Sequence, residues 1–188
     1  MEKLALHGGP KSKTTPYTLT NKYGDEELEQ LTQVIRSGKL MGTDGKVAEF
    51  EEALRSYYGV PYAIMVTSGT AALHTALCAL GVSEGDEVIT PPMTDIGTVS
   101  AILALHAIPI FADIDAETRL ISSQSIRARI TKRTKVIITV HMAGLCCDMN
   151  EILEIGNEFD IRILEDCAQS HGATLHGKLL GTIGDASG

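Results

Sequence analysis

The feature that most constrains this chain is an alternation, from about residue 62 to residue 164, of short apolar runs with helical stretches. Tyr62–Thr67, Val88–Thr90, Ile108–Ala112, Lys135–Val140 and Ile161–Leu164 read as strands. Helical periods or small-residue runs lie between them, at about Thr70–Leu80, Gly97–His106, Ser125–Ile130 and Met149–Phe159. Strands joined through helices need right-handed crossovers, which lay the strands parallel and cover both faces of the sheet. The expected fold class is α/β, with a mostly parallel sheet and helices on both faces. Strand order is not legible. His176 to Gly181 reads as a tight turn between short extended pieces.

Upstream of the alternation the pattern differs. Residues 1–22, with Gly8-Gly9-Pro10 and Pro16, hold no period and read as an irregular arm. Leu28, Leu31, Val34 and Ile35 recur at helical spacing in Asp25–Ser37, and Gly38 suits the C-cap. A second helix, Lys46–Tyr58, is expected to bury Val47, Phe50, Leu54 and Tyr57 and to stop at Gly59.

Composition removes several function classes. With 44% hydrophobic and 21% charged residues, the 188-residue chain is neither disordered nor fibrous. Sixteen basic residues face 24 acidic ones, and no Lys/Arg block attracts nucleic acid or anionic lipid, so neither nucleic acid nor membrane is an expected partner. No apolar run approaches the roughly 18–20 residues that span a bilayer, and Met1–Leu6 carries charges where a signal peptide needs an apolar stretch. The expected location is the cytoplasm and the expected ligand a small molecule. Cys78, Cys146, Cys147 and Cys167 form no C-x-x-C pair, and their spacing from His141, His171 and His176 is too loose for a metal site.

In an open α/β sheet, ligands settle beyond the carboxyl ends of the strands. Three such places carry chemistry. Ser68-Gly69-Thr70 opens a helix after the strand ending at Thr67, where unpartnered amides and the helix dipole suit a phosphate. A plain N-cap at Ser68 or Thr70 is the alternative, and the one the sequence by itself favours. Glu165-Asp166 follows an apolar strand, and a carboxylate there could hold the proton of a pyridine nitrogen; Asp166 is the expected residue, with a helix or turn cap as the alternative. Pro91 to Thr98 closes onto the next helix, where Asp95 either lies by a ligand or caps the helix. His141, also at this edge, either lines a pocket or is structural. No G-x-G-x-x-G, Walker loop or G-x-S-x-G occurs.

Taken in order, Arg36-Ser37-Gly38, Phe50-Glu51, Ser68 to Leu73, Gly85-Asp86-Glu87-Val88-Ile89, Asp113-Ile114-Asp115, Ile130-Thr131, Thr134, Val140-His141, Asp148-Met149 and Glu165-Asp166-Cys167-Ala168-Gln169 resemble the DegT/StrS aminotransferases. These are fold-type I pyridoxal-phosphate enzymes that mostly aminate nucleotide-linked keto sugars. The resemblance runs from about Leu4 to the last residue. It implies pyridoxal 5'-phosphate as cofactor, an amino donor and a keto sugar as substrates, and a homodimer when complete. It further implies that Gly69 and Thr70 hold the cofactor phosphate, that Asp166 pairs with the pyridine nitrogen, and that Gln169 lies near the phenolic oxygen. Asp95 departs from the pattern, since many members stack an aromatic residue on the ring there; this weakens transfer of the substrate.

The resemblance also places the Schiff-base lysine a few residues after the segment that appears here as Gly184-Asp185, beyond Gly188. Residues 23–188 then correspond to an incomplete cofactor-binding large domain, with the small C-terminal domain absent. Lys178 is the nearest of the nine lysines, and a solvated ammonium is expected in its turn, whereas a Schiff-base lysine needs a partly desolvated amine. On this reading the chain alone is inactive and exposes apolar surface. A dehydratase of the same family, with another residue in the lysine's place, is the alternative enzyme. A non-catalytic truncated product, or a subunit needing a partner chain, is the alternative of another class.

Overall fold

The computed structural model describes residues 3–16, 23–40 and 45–188. Part of the arm, Lys22 included, lies outside them. The chain divides into two compact units, Met1–Glu49 and Phe50–Gly188. In the first unit, α1 (Asp25–Ser37) has the expected bounds, and Glu27 reaches back to the Gly24 N–H. Gly38 ends it in the left-handed conformation, φ 67°, donating to the Ile35 carbonyl.

α2 spans Lys46–Tyr58, as expected, but buries none of its residues. Val47 and Leu54 are half-buried, whereas Phe50 and Tyr57 are exposed. Helical period alone marks an apolar stripe without supplying the element that would cover it.

The second unit continues with α3 (Gly69–Ala79), β1 (Glu87–Thr90), α4 (Ile96–Leu103), β2 (Ile108–Phe111), α5 (Ser123–Arg129), β3 (Thr134–Val140), α6 (Met149–Phe159) and β4 (Arg162–Asp166). It closes with β5 (Thr174–Leu175), β6 (Lys178–Leu179) and β7 (Ala186–Ser187). The sheet order is β2-β1-β3-β4-β7, and every neighbouring pair is parallel. The order reverses between β1 and β3, the kind of switch point at which open sheets bind ligands. β5 and β6 form a separate antiparallel hairpin, whose His176-Gly177 turn has positive φ at both residues, 50° and 81°.

The expected strand at Tyr62–Thr67 does not form. The segment pairs with no described strand, Tyr62 is 81% exposed, and the Met65 N–H donates to the Glu51 side chain. An apolar run becomes a strand only where a neighbour supplies a ladder. Conversely, β4 runs two residues further than its apolar stretch and takes Glu165 and Asp166 into the sheet.

Alternation along the strands sorts the core into two layers. Val88, Val136, Ile138, Val140 and Leu164 pack with Leu73 and Leu77 of α3 and Ala101 and Ile102 of α4. Ile89, Ile137 and Ile163 face the opposite way, onto Ile126 of α5 and Met149, Ile152 and Ile155 of α6. By the same alternation Asp166 belongs to the α3/α4 face and Glu165 to the α5/α6 face.

Candidate active site

Asp166 lies at the carboxyl end of β4 and is 5% exposed. Its Oδ2 accepts the Thr98 hydroxyl at 2.9 Å and its Oδ1 accepts the Ala168 N–H at 3.2 Å. Among the described residues, the ion pairs do not include it. A buried carboxylate left with free lone pairs and no cation is costly, and a cationic ligand group would offset that cost.

Thr98 sits in the first turn of α4, whose N-cap is Asp95. The Asp95 carboxylate accepts the Gly97 N–H at 2.7 Å, so capping is its observed role. Thr94, just before the cap, lies with its hydroxyl 2.8 Å from that of Thr98. Sequence reasoning passed over both threonines, because a threonine in a first turn carries no signal of a partner 68 residues away.

Ser68 caps α3 through the Ala71 N–H at 3.1 Å. The capping reading of Ser68 thus holds, yet the next two amides stay free. The N–H groups of Gly69 and Thr70 have no acceptor among the described residues, and the space where a Gly69 Cβ would stand is open. Free amides at the positive end of an 11-residue helix suit an anion. Gly97 brings this helix start beside α4: a Cβ on Gly97 would lie 2.5 Å from Thr70 Oγ1 and 3.0 Å from Asp95 Oδ1. Gly97→Ala is therefore expected to cost about 1–3 kcal/mol, despite alanine's better helix propensity, because the two helix starts must part. Urea unfolding of the variant checks this, and unchanged or increased stability would show that the approach is not tight.

Gln169, three residues after Asp166, accepts the Ala143 N–H through Oε1 at 2.8 Å. That donor assigns the amide's orientation and leaves Nε2 as a donor for a ligand. Ala143 holds φ 54°, uncommon outside glycine, with Gly144 also left-handed beside it. On the same sheet face as Asp166, Thr90 Oγ1 is buried with no partner among the described residues.

His141 and Glu165 do not join this group. Both are fully buried, with Nε2 3.0 Å from Glu165 Oε2. The Cys147 N–H donates to Nδ1, so the ring is neutral and its proton lies on Nε2, facing the carboxylate. Glu165 also accepts the N–H groups of Gly181, Ile183 and Gly184. Burial pushes its pKa up, but the His141 bond and these three donors outweigh burial and hold it below the usual carboxylate range. Cys167 lies within 4.8 Å of the pair in its ligating atoms. Burial and the nearby Glu165 charge push its thiol up to about 12. A metal here would have to displace bonds that are already made and deprotonate that thiol. An open cavity of about 540 Å³ lies elsewhere, along Asp115, Cys146, Asp148 and His176, but Asp115 is committed to its turn and Asp148 to capping α6.

The site thus offers free amides at one helix start and an unpaired buried carboxylate behind the next. The model of the DegT/DnrJ/EryC1/StrS aminotransferase family matches residues 21–188. The chain belongs to this family. The GDP-perosamine synthase of Escherichia coli O157:H7 is 41% identical over 162 residues, 86% of this chain and 44% of the relative. An aminotransferase from Psychrobacter cryohalolentis superposes with a TM-score of 0.84 at 36% identity, over 90% of this chain and 43% of that one. The E. coli GDP-4-keto-6-deoxy-D-mannose-3-dehydratase, solved with bound hydrated PLP, gives 0.79 at 31% identity, over 88% and 44%. The chain spans less than half the length of each of these proteins.

Proposed function

We propose that this chain supplies the cofactor-binding edge of a pyridoxal-phosphate-dependent aminotransferase that acts on a keto sugar. The observation that carries this reading is Asp166, a buried carboxylate with no cationic partner among the described residues, at the carboxyl edge of the sheet. A protonated pyridine nitrogen is the charge it lacks, and the free amides of Gly69 and Thr70 suit the phosphate of the same molecule. Gln169 would donate through Nε2 to the ring's phenolic oxygen. Asp95 takes part through its cap on α4 and, being exposed, leaves the stacking face to another group. Pyridoxal phosphate supplies an electron sink for carbanion chemistry at the amino-bearing carbon. Asp166 keeps the ring nitrogen protonated, and the α3 start fixes the phosphate end.

The keto-sugar substrate is supported by the relatives named for GDP-perosamine and for a GDP-keto sugar. A dehydratase of the same family is the second reading, favoured by the dehydratase among the structural neighbours. The proposed setting is a cytoplasmic homodimer; no described helix is long and apolar enough to cross a membrane.

None of the nine lysines here is proposed as the cofactor's covalent partner. Lys178, in β6, is exposed and beyond a two-residue turn from β5. Borohydride reduction of the purified 188-residue chain with pyridoxal phosphate should leave no lysine stoichiometrically labelled by mass spectrometry. Complete labelling of one lysine, together with amino transfer to a keto sugar, would overturn this assignment.

A further inference from the structure

We propose that Thr94 and Thr98 form a directed hydroxyl relay that aims the Asp166 carboxylate, making Thr98 a positioning residue for the ring-nitrogen proton. The inference rests on the reading of Asp166 as partner of that nitrogen. A carboxylate accepts and does not donate, so the single proton of Thr98 Oγ1 is committed to Asp166 Oδ2, 2.9 Å away. Thr98 then has only lone pairs to offer across its 2.8 Å contact with Thr94, so the Thr94 proton points to Thr98. Two aligned O–H groups polarise one another in a site where Asp166 and Thr98 are both nearly fully buried.

The relay matters because the terminal torsion of an aspartate is soft. Here the carboxylate plane is held from both sides, by Thr98 on Oδ2 and by the Ala168 N–H on Oδ1. The remaining lone pairs are thereby fixed in direction before any ligand arrives. Thr98 itself is fixed by the first turn of α4, which the Asp95 carboxylate caps at Gly97. The residue that departs from the family's aromatic pattern is thus tied, through one helical turn, to the carboxylate behind it.

The test uses pyridoxamine phosphate, which needs no lysine, labelled with 15N in its ring. Binding is read by fluorescence and ring protonation by 15N NMR against pH, in the purified protein and in Thr98→Val, Thr98→Ser, Thr94→Val and Asp166→Asn. Thr98→Val should weaken binding about tenfold and lower the pH at which the ring loses its proton, in a protein that still melts cooperatively though less stable. Thr98→Ser should restore both, and Thr94→Val, at a half-buried position, should give a smaller change in the same direction. A wild-type proton titration in Thr98→Val, or in Thr94→Val if the former fails to fold, overturns the relay while a shifted Asp166→Asn leaves Asp166 in its role. Wild-type behaviour in Asp166→Asn removes both.

Discussion

Replacing Asp166 with asparagine is expected to leave the fold intact and to lower turnover of the active protein by about three powers of ten or more, ~4 kcal/mol of transition-state stabilisation. Asparagine keeps the size of the side chain: its oxygen can still accept the Ala168 N–H, and its amide N–H can donate to the Thr98 hydroxyl, which then turns its own proton to Thr94. On the proposed reading, what it removes is the negative charge that would face the ring nitrogen, and with it the support for the ring's protonated form. The loss should fall on kcat more than on substrate KM, because the charge acts as electrons flow into the ring. Comparable kcat in the variant would take Asp166 out of this role.

The second large effect is on stability. Glu165→Ala should destabilise the second unit by about 3–5 kcal/mol, because it strips the partner from His141 and from the N–H groups of Gly181, Ile183 and Gly184 at once. The pH dependence follows from the lowered pKa. An unfolded glutamate titrates near the ordinary value of 4.5, and the folded group titrates below it. Its contribution is therefore fully present above about pH 4.5 and is lost as pH falls through the lower folded value. Urea unfolding from pH 7 downward should show the wild type losing stability on the acid side, while Glu165→Gln, having no charge to protonate, falls less steeply. Parallel acid limbs would mean that Glu165 is not the linked group.

Much of the fold was legible in the sequence for a plain reason: helical periods carry their own bounds, and apolar runs survive as strands wherever a neighbouring strand supplies a ladder. The helices Asp25–Ser37, Lys46–Tyr58 and Met149–Phe159 have the bounds their apolar spacing and terminal residues imply. Tyr62–Thr67 failed because strand formation is a property of pairs, and no described strand lies beside it. Strand order was illegible since it depends on which edge each crossover chooses.

The site was legible in part. Asp166 rather than Glu165 was a choice between adjacent acids, and strand alternation gives it a physical basis: one faces α3 and α4, the other a hydrogen-bonded knot with His141. The knot itself could not be read, because its three backbone donors come from residues 181–184, without side-chain signature. His141 at the sheet edge and Asp95 at a helix start each carried two readings, and the structure gives both a structural partner.

The most direct test of the account is a diffraction structure of the protein crystallised with pyridoxamine phosphate. The account predicts the ring nitrogen within hydrogen-bond distance of the Asp166 carboxylate and the phosphate on the N–H groups of Gly69 and Thr70. A ring whose nitrogen faces solvent, or a ligand seated instead along Asp115, Cys146 and His176, would contradict it.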